Sequence, residues 1–455
     1  MKVLIIGGGG REHALSLLVS KSESVKQFYC LPGNPGIARE SKFVPVSTNI
    51  DVTKPENFPF LIDFVIKKKI DLTIVGPDDP LAAGIVNLFQ KNGLAIFGPT
   101  KEAAKIEWSK WYAKQVMQAA GVKTAFAERF DTSSVDNAFR HPRRRGTPIV
   151  IKTDGLALGK GAFVCRNLIE TEAAITKCLV DEELGEAGKR ILIEDYLEPV
   201  STKFRCEISV FALIDYWGNY ILFPAAQDYK TIGDGDTGDN TGGMGAFAPV
   251  PWVSNQMMKK IGTTIFEPII KEMKKRNSNF TGALYAGLMY TIDGFKVVEF
   301  NARFGDPEFQ PLSMLVNFDI VAVMNRIARG GSIADMVLNI NENGWKMNSS
   351  ACTVVMASPG YPKSYPKDIE IIIDHEWLDS FMGDSVKVFH AGTALKGNCL
   401  VTSGGRVLSV TGFTTNGVDP KRAANYAYIS IAHIDFKRAC FRRDIGMNVP
   451  INIYH

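Results

Sequence analysis

The sequence has no CxxC pair, no paired histidine spacing, no internal repeat, no low-complexity tract and no long apolar run. The first two absences leave no zinc site to suggest. Seven cysteines are an odd number, so at least one is unpaired, and reduced thiols in a cytoplasmic protein account for them. No stretch approaches the roughly 18 to 20 apolar residues of a membrane span. The opening VLII at 3–6 is a first strand, too short for the apolar core of a signal peptide. Charge is nearly balanced: 52 Lys and Arg against 48 Asp and Glu leave a formal +4, too little to argue for a nucleic-acid partner. The densest basic run, HPRRR at 141–145, is expected to be a solvated loop between a helical stretch and a strand.

At 455 residues the chain exceeds one compact core, and roughly two to four domains are expected. Apolar runs at 3–6, 27–30, 72–75 and 94–97 read as strands bounded by Gly or Pro. Helical spacing falls between them at 12–21 and 55–69, with Pro55 suited to a first turn. This alternation predicts a doubly wound parallel sheet with helices on both faces. GGGGREH at 7–13, PGNPG at 32–36 and GPDDP at 76–80 fall at the carboxyl ends of strands, where such sheets hold ligands. A dehydrogenase fingerprint fails, because Glu12 stands where a glycine is required and no acid follows the second strand. The loop can still set N–H groups around one phosphate at a helix N-terminus. Further on, 103–121 is expected to be one lysine-rich helix ending at Gly121. Hairpins are expected at Trp217-Gly218-Asn219 and Asp293-Gly294. Beyond the glycine pair at 330–331, the region 331–455 is β-rich, with a helix from about Lys421.

Two segments carry chemistry. In KVVEFNARFGDPE, 296–308, strand alternation puts Glu299 and Asn301 on one face with Val297, and Phe300 on the other with Val298. One carboxylate beside one amide suits a magnesium ion that takes its other ligands from phosphate oxygens; a solvated strand end is the alternative. In PIVIKTDGLALGKGAFV, 148–164, a strand ending in Lys152 leads through a glycine loop with Lys160 into another strand. Glycines let backbone N–H groups approach phosphates and the lysines add positive charge, although a flexible basic hairpin reads the same way. ILIEDYL at 191–197 can receive an adenine, as can many buried strands. The Asp/Gly-rich 233–243 lacks the terminal Glu and flanking helices of a calcium loop.

This order of lysine strand, glycine loop, hinge strand and carboxylate/amide strand resembles the ATP-grasp superfamily, whose two lobes clamp ATP. GGGGREHAL, PGNPG, GPDDPLAAG, AAQDYK, DNTGGMGAFAP, EFNARFGDPE, VFHAGT and CFRRDIG narrow the resemblance to the phosphoribosylamine–glycine ligase family, almost from end to end.

The resemblance implies an N-terminal α/β domain at 1–102, an ATP-grasp domain at 103–330 with a mobile lid at about 122–194, and a β-rich α+β C-terminal domain at 331–455. It implies a cytoplasmic, monomeric, single-activity enzyme of de novo purine biosynthesis. Such an enzyme joins glycine to 5-phosphoribosylamine with ATP and Mg²⁺ or Mn²⁺, through glycyl phosphate. Metal would sit on Glu299 and Asn301. ATP would contact Lys110, Lys152, Gly155, Gly159, Lys160, Gly161, Glu194, Asp195, Tyr196, Leu197 and Glu207. Arg303 would engage the transferring phosphoryl group, while Asp228 and Asp306 would orient amines. Gly9, Gly10, Arg11, Glu12, Gly33, Asn34, Pro35, Gly36 and Asp78 would hold the ribosylamine. Thr241, Gly242, Gly243, Met244 and Gly245 would enclose substrate.

The chain departs from the family pattern at Tyr229, usually His, at Asp239, usually Pro, and at Cys206, often acidic. Gly287 stands where many ATP-grasp enzymes place an acid. Rival readings are another ATP-grasp ligase or carboxylase subunit, and a nucleotide-binding regulator without catalysis. His13, His390 and His433 lie in unrelated segments without ligand spacing and are expected to pack or cap.

Overall fold

The computed structural model describes residues 1–46, 50–155, 161–346, 348–415 and 417–450. Near the N-terminus, apolar strands form a parallel sheet in the order Gln27–Pro32, Lys2–Gly7, Leu72–Val75, Ile96–Phe97. Val3, Leu4, Ile5 and Ile6 are all buried, as a strand covered on both faces requires. The fourth strand is shorter than the run at 94–97 suggests: Leu94 N–H still donates back to Phe89 O of helix Ile85–Lys91, and Ala95 joins the sheet only through its carbonyl, which accepts from Thr73 N–H.

One lysine-rich helix was expected at 103–121; two are present, Lys101–Trp108 and Lys110–Ala120. Ser109 between them is extended, and its hydroxyl caps the second helix by accepting from Tyr112 N–H at 3.2 Å. A serine satisfies orphan N–H groups best at a helix start, so the chain restarts there and Lys110 becomes the first residue of a helix.

The next unit is an antiparallel sheet ordered Ala127–Asp131, Arg190–Asp195, Ile149–Thr153, Ala162–Cys165. Its apolar cluster, including Phe130, Ile151, Ile175 and Ile193, is separate from two larger clusters. HPRRR is not a loop: it is the last turn of helix Val135–Arg145. Cations are favoured at that end of a helix, and Arg143 and Arg145 pair with Glu172 and Asp195 at 2.6 Å each.

A second antiparallel sheet runs Tyr220–Leu222, Glu207–Ile214, Gly282–Thr291, Gly294–Asn301, with both expected hairpins in place. A third, of five strands, combines Gln227–Asp228 and Gly245–Ala248 with Ser350–Ala357, Arg406–Thr414 and Val386–His390. Helix Pro420–Ile431 lies so close that a Cβ on Gly412 would sit 2.0 Å from the Ala423 carbonyl. Among the described residues no helix is long and apolar enough to cross a membrane.

The N-terminal domain and the second sheet meet at two glycines. Gly282 has φ +116°, and a Cβ there would lie 3.1 Å from the Gly98 Cα. Gly282→Ala is expected to lower unfolding free energy by about 1–3 kcal/mol in urea denaturation, because positive φ and contact with fixed backbone both oppose a side chain.

Candidate active site

The strand Gly294–Asn301 supplies the floor of the site, but not with simple alternation. Its register against Gly282–Thr291 shifts so that Gly287 faces Glu299 and Leu288 faces Val297, leaving Val298 as an extra, bulged residue. Val297 therefore packs in the core with Phe300 and not beside Glu299, correcting the face expected for it. The bulge re-aims the strand. Val298, Glu299 and Asn301 line a cleft closed by Lys110, Lys152 and Glu194. Two oxygen ligands at a strand end, with neighbouring positions left to phosphates and water, fit a small divalent cation.

Lysines converge opposite. Lys152 pairs with Glu194 at 3.1 Å and donates to the Val298 carbonyl at 2.8 Å, tying the sheet of 127–195 to the strand Gly294–Asn301. Lys114 reaches the same Glu194 oxygen at 3.2 Å. Burial pushes the Lys114 ammonium down to about 8, although Glu194 opposes the shift. The other Glu194 oxygen is buried without a hydrogen-bond partner, and Glu194 lines the cleft. Asp195 points away to Arg145, while Tyr196 and Leu197 continue half-buried beyond the strand.

At the loop, Asp154 accepts from Ser109 Oγ and Trp111 N–H, both at 3.1 Å. This fastens Gly155 beside the helix that begins with Lys110. Gly161 closes the other end, its carbonyl accepting from Thr153 N–H at 2.8 Å. Gly159 and Lys160 lie outside the described residues.

Glu299 is held ionised. Burial alone would raise its pKa, but Lys230, Lys152, Lys110 and Arg303 outweigh burial and lower it. Lys230 lies 2.5 Å from Glu207 and 3.9 Å from Glu299. Arg303 is anchored by Glu107 at 3.0 Å, and the same carboxylate accepts from Ala302 N–H at 2.8 Å. Burial pushes Glu107 up to about 7 against the pull of Arg303. Asp78 opens helix Asp78–Ala83, and its charge acts on both Glu107 and Arg303.

A second cluster of polar groups is electrostatically coupled to the first through Arg303. Asp306 accepts from Gln310 at 2.8 Å and faces Arg406 at 3.5 Å; Arg406 and Arg11 overcome its burial and keep its pKa low. Arg406 also donates to the Gly242 carbonyl at 2.5 Å, and Gly242 N–H donates to Tyr361 at 3.0 Å. Thr241 donates its hydroxyl to Lys230 O at 2.8 Å, and Met244 N–H donates to Tyr229 O at 2.7 Å. Gly243, Pro307 and the Asp228 carboxylate crowd one point, and Gly245 begins the adjoining strand. One Asp228 oxygen is buried without a partner; burial and the charge of Glu308 raise its pKa well above the usual range.

From the N-terminal domain, Gly9 and Gly10 face Asp306 and Gln310. Arg11 donates to the Phe304 carbonyl at 3.1 Å. Gly9 N–H already donates to Glu12 at 2.6 Å, so the chain's own carboxylate occupies part of the anion-favouring helix start. Asn34 ties PGNPG to this loop by donating to the Gly8 carbonyl at 2.9 Å and to His390 O at 3.0 Å; Gly33 N–H donates to the Gly7 carbonyl at 3.1 Å. Pro35 leads to Gly36, which is packed against His13 and His390. Those histidines meet across the seam: His390 N–H donates to His13 Nδ1 at 2.8 Å.

Three family models match consecutive parts of the chain. They are the phosphoribosylglycinamide synthetase N domain over residues 1–107, its ATP-grasp (A) domain over 108–309, and its C domain over 351–448. The phosphoribosylamine–glycine ligase of Brucella melitensis is 40% identical over 447 residues, covering 98% of this chain and 97% of that protein. The Ralstonia nicotianae enzyme of the same name is 41% identical over 448 residues, covering 98% and 99%. The chain belongs to the phosphoribosylglycinamide synthetase family. The crystal structure of the Thermotoga maritima phosphoribosylamine–glycine ligase superposes with a TM-score of 0.79 at 29% identity, over 98% of this chain and 100% of that one. The biotin carboxylase domain of Hydrogenobacter thermophilus 2-oxoglutarate carboxylase gives 0.70 at 16% identity over 97% and 91%, a likeness of fold alone.

Within this ATP-dependent ligase, Lys114, Glu107, Lys230, Glu308 and Arg406 join the site without having stood out in the sequence. Lys230 lies two positions after the predicted Asp228 and could have been read from AAQDYK; Arg406 lies in GGRVL at 404–408, which the family resemblance includes, but its pairing with Asp306 has no local signal. Because folded Glu107 holds its proton to a higher pH than the unfolded chain does, its contribution favours the fold at low pH and fades as pH rises. The stability of the native chain relative to Glu107→Gln is expected to fall between about 4.5 and 7, measured by denaturant titration across that range; a flat difference would contradict the assignment.

Proposed function

We propose that this chain joins the carboxyl group of glycine to the amine of 5-phosphoribosylamine with ATP, giving glycinamide ribonucleotide, ADP and phosphate in purine biosynthesis. The observation that carries the reading is the cleft lined by Glu299, Asn301 and Lys152, with Arg303 acting electrostatically both on Glu299 and on Asp306; we assign the cleft to ATP and the Asp306–Arg406 cluster to the acceptor chamber. The setting is a cytoplasmic monomer acting on small molecules.

Glycine's carboxylate oxygen attacks the γ-phosphorus, the bond from that phosphorus to the β-bridging oxygen breaks, and ADP departs. The amine nitrogen of phosphoribosylamine then attacks the acyl carbon, the bond from that carbon to the phosphate-bearing oxygen breaks, and phosphate leaves with one former glycine oxygen and the proton the amine gives up. Positioning and charge stabilisation supply most of the acceleration in phosphoryl transfer. Lys110, Lys152 and the 155–161 loop hold the triphosphate. Glu299 and Asn301 would hold Mg²⁺ or Mn²⁺, which would supply neutralisation of charge developing on the triphosphate. Arg303, kept in place by Glu107, presents its guanidinium to the transferring group. Lys230 adds a cation between Glu207 and Glu299. Glu194 and the chain through Leu197 receive the adenine, and Glu207 the ribose. Asp228 and Asp306 orient the two amines. Gly9 to Glu12, PGNPG and Asp78 border the ribosylamine, and 241–245 covers it. No general base is required, because glycine's carboxylate is already ionised and the ribosylamine attacks as the free amine.

Purified protein given Mg-ATP, glycine and fresh phosphoribosylamine, each omitted in turn, is expected to release ADP and phosphate only with all three. ATP hydrolysis indifferent to glycine would remove the substrate assignment. Glu299→Ala is expected to cut turnover by about 10²–10³-fold or more while leaving the fold intact by circular dichroism; near-normal activity with an unchanged metal requirement would sink the metal assignment. Lys152→Ala should weaken equilibrium binding of ATP by at least about tenfold, an ordinary worth for a charge-assisted contact to phosphate.

A further inference from the structure

Tyr229 stands between Asp228 and Lys230, and its ring is buried on the side of the C-terminal domain, where its hydroxyl accepts from Gly446 N–H at 3.1 Å. Two guanidinium groups lie over that ring, Arg205 at 4.7 Å and Arg442 at 4.9 Å from its centre. Both also pair with one carboxylate, Asp236, on the hairpin formed by Thr231–Gly233 and Thr237–Asn240; the Arg442 contact is 2.9 Å. Arg442 is 1% exposed and is further held by Asp444 at 2.6 Å, whereas the Asp236 side chain is 43% exposed.

The connections then run back to the acceptor chamber. Arg205 donates to the Asp228 carbonyl at 2.8 Å. Tyr229 N–H donates to Gly245 O at 3.0 Å, Met244 N–H to Tyr229 O, and Thr241 N–H to Lys230 O at 2.7 Å. Holding the Tyr229 ring therefore holds the backbone from which Asp228, Lys230 and the 241–245 loop are presented.

We propose that Asp236, Arg205 and Arg442 clamp the Tyr229 ring and so position Asp228 and the 241–245 loop for the glycine and ribosylamine half of the reaction, resting on the function proposed above. These are positioning residues: none touches the ATP chamber. Cation–π contacts are strongest when desolvated, and the shared carboxylate fixes both forks at once. Loss of the clamp loosens the acceptor side and leaves the grip on ATP as it was, because Lys152, Lys110 and Glu299 lie outside the clamp and the Lys230 ammonium beside Glu299 is held by Glu207.

The test uses the full chain with Asp236→Asn, which removes the shared charge at an exposed position, and Arg442→Lys, which keeps a cation but not its fork. Deuterium exchange without substrates is expected to quicken across 228–245 and nowhere else. In steady state the KM values for glycine and phosphoribosylamine are expected to rise about tenfold, since small misplacements of a positioned group carry penalties of that order or larger, with the KM for ATP unchanged. Unchanged exchange and unchanged KM values overturn the proposal. So does faster exchange throughout the chain with a uniform fall in kcat and Tm, the signature of a purely structural role. If the native enzyme ignores glycine, the functional reading fails on its own, and the exchange pattern still decides whether the clamp exists.

Discussion

Compensation of buried charge is the constraint on which the rest of this structure depends. Glu299, Asp306 and Arg303 are partly buried, where an unpaired charge is penalised. Each is held by a counter-charge from another part of the chain: Glu299 by lysines from the lid and from AAQDYK, Arg303 by Glu107 of an early helix, and Asp306 by Arg406 of the last domain. The domains are joined by the same pairs that prepare the site. Where the balance is incomplete, as at Asp228 and Glu308, burial raises the carboxyl pKa values, leaving places where a cationic substrate group would be welcome.

The sheet of 127–195 has its own apolar cluster, and its attachments to the site include polar ones: Lys152 to Val298 O, and Asp154 to the restart of the helix at Ser109. Polar contacts of this kind exchange readily with a ligand's oxygens, whereas a shared core would not. The acceptor side is built differently, with the 241–245 loop bonded into backbone that also belongs to the five-stranded sheet.

Much of this was legible in the residues. The parallel sheet followed from apolar runs punctuated by glycine and proline, and the hairpins from their turn residues. The cleft around Lys152, Glu194, Glu299 and Asn301 followed from residue type and family resemblance. What escaped had physical reasons. A bulge at Val298 breaks the two-residue period on which face assignments rest, and nothing in KVVEFN announces it. The helix break at Ser109 is a capping event that outweighs good helix formers on either side. HPRRR looked like a loop because helix-terminal cations and solvated loop cations have the same composition. The partners Arg406, Glu107 and Arg442 meet the site from 100 to more than 200 positions away, as with Arg406 and Asp306 or Arg442 and Asp236, separations that local pattern does not report.

The central claim is that ATP activates glycine's own carboxylate within this site. It is tested most directly by turning over glycine labelled with ¹⁸O in both carboxyl oxygens, together with ATP and phosphoribosylamine, and weighing the released phosphate. The account predicts one ¹⁸O in each phosphate formed and one retained in glycinamide ribonucleotide. Unlabelled phosphate, released in step with product, would show that the carboxylate never bonded to phosphorus and would contradict it.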